Sequence, residues 1–116
     1  MITGINNYSA FALNDDNMMK TLNADTDNLP ITCNLVKIMP SVAGLNLTGL
    51  LNPVPEMDSI VWIVNLSMSN SITLKNMDAS SDPENQFKMQ NNVDFLLLPG
   101  QFVQCLYCGG KYRINA

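Results

Sequence analysis

The residues best suited to chemistry lie at the end of the chain, in QFVQCLYCGGKYRINA. There Cys105 and Cys108 form a Cys-x-x-Cys pair followed by Gly109-Gly110. This spacing serves a redox centre when it opens a helix after a strand, and half a zinc site when two further ligands converge. No helical pattern follows the pair. Cys33 is the sole other cysteine and the chain contains no histidine, which removes the commonest general base and the commonest metal ligand together. If Gln101 to Cys108 is a strand, residues three apart point to opposite faces, and their Cα atoms stand about 10 Å apart at about 3.3 Å per residue. A disulfide needs about 7 Å or less. The pair is therefore read as two strand residues, with cysteine acting as a small hydrophobe.

Oxygen chemistry has two other candidate locations. The stretch NMDASSDPENQ carries Asp78, Ser81, Asp82, Glu84 and Asn85, hard ligands that could suit calcium, although the spacing is not that of an EF-hand. Turn formation explains the same residues, so the stretch is expected to be an exposed loop that contacts a sugar or a neighbouring subunit. Asp15 with Asp16, and Asp25 with Asp27, could mimic the carboxylate pair of a glycosidase, but a solvated N-terminal arm is the simpler account. Tyr8, Tyr107 and Tyr112 are the aromatics that a glycan or an interface could use, whereas Trp62, inside IVWIV, is expected in the core. No cofactor and no bound metal are expected.

The elements that must position these residues are strands. The chain has 116 residues, 47% of them hydrophobic, which suits one domain with an ordinary core. Charged residues make up 14% and asparagine contributes sixteen, a composition that favours turns over helix interiors. The net charge is −4 with six scattered Lys and Arg, so a phosphate backbone finds little to hold and nucleic-acid binding is not expected. The longest apolar runs are too short to span a bilayer, no secretory signal is visible, and an odd, small number of cysteines argues against a disulfide scaffold. Synthesis in a reducing cytoplasm follows. Sequons at Asn7, Asn46 and Asn65 are read as chance matches in an Asn-rich chain.

Residues 1–28 are Asn- and Asp-rich and are expected to form a polar N-terminal arm that attaches to a neighbour. From Leu29 the pattern alternates with period two. LPITCNLVKIM places Ile31, Cys33 and Leu35 on one face, and GLNLTGLL alternates again. SIVWIVNL is apolar on both faces, as in the centre of a sandwich or at a subunit contact, and SITLK is expected to pair with it as a hairpin. QFKMQ, FLLL, QFVQCLYC and KYRIN complete seven or eight short strands separated by turns. This spacing predicts an all-β fold, an antiparallel β-sandwich or jelly roll over residues 29–116. Ile60–Val64 and Phe102–Tyr107 are its expected core strands, and Gly109-Gly110 is the turn of its closing hairpin.

Residues 58–116 also resemble a recurrent C-terminal pattern of tailed-bacteriophage fibre, spike and minor structural proteins. IVNLSMSNSITLKN, SSDPENQF, LLLPGQFVQCLYC and KYRI occur in the order of that pattern, and NLTGLLNPVPEMDSIVWIVN is similar to the segment that precedes it. Gln86 stands where arginine is usual, Cys108 where aspartate is usual and Tyr112 where tryptophan is usual. The resemblance implies a β-sandwich that builds a virion appendage or coat, assembles as a homo-oligomer, commonly a trimer, and has no enzymatic activity. The function expected is that of a head-fibre, capsid-decoration or tail-fibre module, made in the host cytoplasm and partnered by itself and by capsid or tail proteins. The alternative is a carbohydrate-binding module for a host surface glycan. Exposed methionines among the eight in the chain favour an oligomer.

Overall fold

The computed structural model describes residues 19–116. Within them the strands are β1 (Met19–Leu22), β2 (Leu29–Pro30), β3 (Leu35–Pro40), β4 (Leu45–Leu47), β5 (Leu50–Leu51), β6 (Ser59–Asn65), β7 (Ile72–Leu74), β8 (Phe87–Met89), β9 (Phe95–Leu97), β10 (Phe102–Cys108) and β11 (Lys111–Ile114). A single 3-10 turn, Pro83–Asn85, precedes β8. The strands form a six-stranded sheet in the order β1-β3-β6-β10-β11-β8, a three-stranded sheet β9-β7-β4, and a two-stranded pair β2-β5.

The expected sandwich or jelly roll is not what these strands build. They form a β-solenoid of stacked coils. The pairings that decide this are parallel. Leu35 lies opposite Trp62 in β3 and β6, and Leu45 lies opposite Ile72 in β4 and β7, both 27 residues apart. Between the first two coils Met19 lies opposite Lys37, and Leu29 opposite Leu50. Each circuit of the chain thus returns to lie beside the previous one. The segment SITLK does not fold back on SIVWIVNL as a hairpin: β7 pairs with β4 in parallel and with β9 antiparallel.

The stack ends in a reversal. After the third coil, β9 runs antiparallel along β7, and β10 runs antiparallel along β6, with Phe102 opposite Val64 and Leu106 opposite Ile60. β11 then turns back against β10 and pairs in parallel with β8. The turn between them is Gly109-Gly110, as expected. Both residues have positive φ, 62° and 74°, the requirement of a two-residue type I′ hairpin, which β-carbons would oppose.

Stacking in register places like side chains above one another. Leu45, Ile72 and Leu97 form one ladder, and Leu47, Leu74 and Phe95 another. On the large sheet Val36, Ile63 and Val103 share a level. These residues belong to one hydrophobic cluster together with Ile38, Leu50, Phe87, Met89, Cys105, Tyr107 and Tyr112. The face assignment of β3 differs from expectation. Val36, Ile38 and Pro40 point inward, because the two-residue period running from Ile31 is broken before the strand starts at Leu35. The boundary expected at residue 28 falls inside the first coil. Residues 19–28 supply β1 and the bridge of Thr26 to Leu47, whereas residues 1–18 of the expected arm lie outside the described residues.

Asn65 closes the junction between the third coil and the reversal. It is wholly buried. Its amide nitrogen donates to the carbonyls of Asn70 and Leu97 at 2.9 and 3.2 Å, and its side-chain oxygen accepts from the Ser67 N–H at 2.9 Å. The sequon Asn65-Leu66-Ser67 is therefore a structural plug. Replacing Asn65 with Ala removes a partner from two buried backbone groups and one partly buried one and is expected to destabilise the fold by about 2 kcal/mol or more, read from the shift of a urea unfolding midpoint.

Candidate functional site

The Cys-x-x-Cys pair is split by the sheet. Cys105 points inward and is fully buried, Cys108 points outward and is half-buried, and both are free thiols. Burial pushes the Cys105 thiol up to about 12, the direction opposite to that of a nucleophilic cysteine. Cys33 is also free, and its thiol donates to the Leu35 carbonyl at 3.2 Å. Among the described residues no group of three or more His, Cys, Asp and Glu is placed to hold a metal ion.

The candidate interaction loop divides in two. Asp82 and Glu84 are exposed and Asp78 is half-buried, but Ser81 and Asn85 are buried at 2% and 1% exposure, so the stretch does contain core residues. The reason is a polar network that ties the loop to the earlier coils. Asn28, at φ 47°, accepts through its side-chain oxygen from the Asp82 N–H at 2.9 Å and from the Asn85 amide at 2.8 Å. Its own N–H donates to Ser81 Oγ at 2.9 Å. Thr48 Oγ1 donates to Asp27 Oδ1 and lies 2.7 Å from Ser81 Oγ. Gln86 donates to the Ser81 carbonyl at 3.0 Å. Gly49 sits against this cluster. A β-carbon there would overlap the Asn85 carbonyl and come within 2.6 Å of Ser81 Oγ. Asp27 is one partner in this network, and Asp25 accepts from the Asn46 N–H at 2.9 Å, so both carboxylates hold corners of the coil stack. Asp15 and Asp16 lie outside the described residues. Asp78 is held below the usual carboxylate range first by the backbone N–H of Ser80, the arrangement of an Asx turn.

The aromatics proposed for glycan stacking are core residues. Tyr107 and Tyr112 are 1% and 0% exposed, with ring centroids 4.6 Å apart at a tilt of 57°. Phe87 packs 6.0 Å from Tyr112. The Tyr107 hydroxyl donates to the Glu84 carbonyl at 2.8 Å. Desolvation raises the Tyr112 hydroxyl above the ordinary tyrosine range. Neither ring offers a face to a ligand, and Tyr8 lies outside the described residues.

What the molecule does offer is the outer face of the six-stranded sheet. Alternation sends Val61 and Ile63 inward and leaves Ile60, Trp62 and Val64 half-buried on the other side. Trp62 is therefore on the outer face rather than in the core, level with Leu35 and Gln104 on the adjacent strands. Phe102, at 64% exposure, and Leu106, at 49%, extend the same surface, as does Met19 at the β1 edge. Four strands at about 4.8 Å spacing, with about 3.3 Å per residue, give this face on the order of 300 Å² in projection. Lys37 and Gln104 interrupt it, and its apolar extent is of the order of the largest patch on a typical monomer, which is often functional.

The charged residues within its strands have one sign. Lys37, Lys88, Lys111 and Arg113 occupy outward positions of β3, β8 and β11, and no strand of the sheet contains Asp or Glu. Elsewhere Lys75 pairs with Asp94 at 3.0 Å, beside Asp78 and Asp25. An acidic chain thus carries one apolar, cationic sheet face. A sequence-level signal for it existed: SIVWIVNL is apolar at odd and even positions alike, which is required where both faces of a strand meet apolar surroundings.

No family model matches the chain, and no curated protein or solved structure matches it.

Two measurements check this description. In iodoacetamide at pH 8, Cys105 is expected to stay unmodified in the folded protein and to react fully in urea, as read by peptide mass spectrometry. Because burial pushes this thiol up to about 12 from its ordinary value of 9.0, burial of the neutral thiol contributes stability that is complete below about pH 9. That stability declines as pH rises from there towards 12. Gly49→Ala is expected to lower stability by about 1–3 kcal/mol through overpacking, read from the unfolding midpoint.

Proposed function

We propose that this chain is a non-enzymatic structural module of a virion, a fibre or capsid-decoration element that assembles as a homo-oligomer, with a trimer as the expected state. The observation that carries the proposal is the outer face of the six-stranded sheet. Half-buried Ile60, Trp62 and Val64 and exposed Phe102 and Leu106 form one continuous apolar surface, in a chain that keeps a separate, fully formed core on the other side of the same strands. A second copy covering that face would remove it from water at about 25 cal/mol per Å² of apolar area. The resemblance of residues 58–116 to phage fibre, spike and minor structural proteins supplies the virion setting, and a β-solenoid capped by an antiparallel reversal is a rigid spacer suited to it. The buried Tyr107 and Tyr112 give the glycan-binding alternative no stacking platform at those positions.

Light scattering is expected to give a trimeric mass for the wild-type protein. The double variant Phe102→Gln, Leu106→Gln is expected to be monomeric with an unchanged circular dichroism spectrum. A monomeric wild type at micromolar concentration would remove the assembly proposal. Mass spectrometry of purified virions is expected to detect the chain in stoichiometric amount relative to the other virion proteins, and its absence there would remove the virion assignment.

A further inference from the structure

We infer that the contact between copies is heterologous, with the Pro53–Asp58 loop of one copy seated in a depression on the sheet face of the next. The inference rests on the homo-oligomer reading above and specifies its contact.

The depression has a volume of about 660 Å³ and is lined by Ile60, Leu106, Lys88, Arg113, Gln104 and Asn115, among others. Its apolar lining is Ile60 and Leu106, which lie opposite each other in β6 and β10, with Ile114. Its cations are adjacent, because Arg113 and Lys88 are register partners in β11 and β8. Their hydrogen bonds go to neutral acceptors: Lys88 to the Met89 carbonyl and the Asn92 side chain, and the Arg113 Nε to the Cys108 carbonyl. Among the described residues neither cation has a carboxylate partner. The fitting occupant is therefore a short segment that combines apolar side chains with carboxylates.

The chain contains such a segment. Residues 53–58, Pro-Val-Pro-Glu-Met-Asp, are all exposed. Val54 is 43% and Met57 59% exposed, and they share the loop with Glu56 and Asp58. The Met57 N–H closes a turn on the Val54 carbonyl at 3.0 Å, and Pro53 and Pro55 restrict the chain further, so little conformational freedom remains to be lost on docking. Val54 and Met57 match Ile60 and Leu106, and Glu56 and Asp58 match Lys88 and Arg113. The loop is exposed in its own chain, so it does not fill its own depression. In the cyclic trimer proposed above each copy gives its loop to one neighbour and receives the loop of the other, so the contact is head-to-tail and closes into a ring.

The test is a charge-reversal cycle on the full chain, with sedimentation equilibrium for assembly and circular dichroism for fold. Glu56→Lys with Asp58→Lys, and separately Lys88→Glu with Arg113→Glu, are each expected to weaken assembly about tenfold or more. The quadruple variant, with both signs exchanged, is expected to restore it. The loop variant alters only exposed side chains, so it remains informative should the sheet variant fail to fold. A wild type that is monomeric overturns the homo-oligomer reading itself. An oligomeric wild type whose assembly is unmoved by the loop reversal overturns only the loop-in-depression contact. So does weakening by both reversals without rescue in the quadruple variant.

Discussion

The buried polar network at Asn28, Thr48, Ser81 and Asn85 is the constraint on which the coil stack depends. In a solenoid each coil touches only its neighbours, and its corners are irregular backbone whose N–H and C=O groups must still be paired. Here one corner brings together Asn28 of the first coil, Thr48-Gly49 of the second, and the loop Ser81–Asn85 that follows β7. Asn28 can accept from two donors of that loop because its backbone lies in the left-handed region, and Gly49 leaves room for the loop to approach. Removing one member would strand several partners, which is why polar residues occupy buried positions in an otherwise aliphatic interior.

The ladders of Leu45–Ile72–Leu97 and Val36–Ile63–Val103 follow from that registration. With the corners fixed, the strands cannot slip by one residue without turning every core side chain outward. The antiparallel reversal then covers the third coil with β9 and β10, and Asn65 pairs the polar groups where the direction of the chain changes. The interior is thereby complete within a single chain. Among the described residues the apolar outer face is a second hydrophobic surface left uncovered, and the strands that carry it hold Lys and Arg but no carboxylate. Two such faces laid on each other would oppose cation with cation, whereas a surface carrying carboxylates would complement them.

Much of the strand content was legible in the sequence. The alternation in GLNLTGLL, SITLK and QFKMQ corresponds to β4, β7 and β8 with their burial patterns, and Gly109-Gly110 marked its turn. The separation of Cys105 from Cys108 across the sheet also follows from strand geometry alone. The architecture was not legible, because period-two alternation reports which face a residue occupies and says nothing of which strand lies beside it. The coils differ in length, with pairing offsets of 18, 21 and 27 residues (Met19 to Lys37, Leu29 to Leu50, Leu35 to Trp62). No fixed sequence period therefore announces the stack. Turn-rich linkers between short strands are shared by sandwiches and solenoids, and the sandwich was the expectation they produced.

The candidate site shows the same division. The amino-acid sequence settles that histidine chemistry is absent, that SIVWIVNL is apolar on both sides, and that the NMDASSDPENQ stretch is rich in turn formers, since these are properties of residue type and spacing. Only the tertiary structure assigned their uses. It put Trp62 outside and Tyr107 and Tyr112 inside, buried Ser81 and Asn85 as corner pins, and gathered Lys88, Lys111 and Arg113 onto a sheet whose strands hold no carboxylate. The physical reason is that burial, charge grouping and hydrogen-bond satisfaction depend on which strands become neighbours. That choice is made by contacts far apart in the chain, such as Asn28 with Asp82.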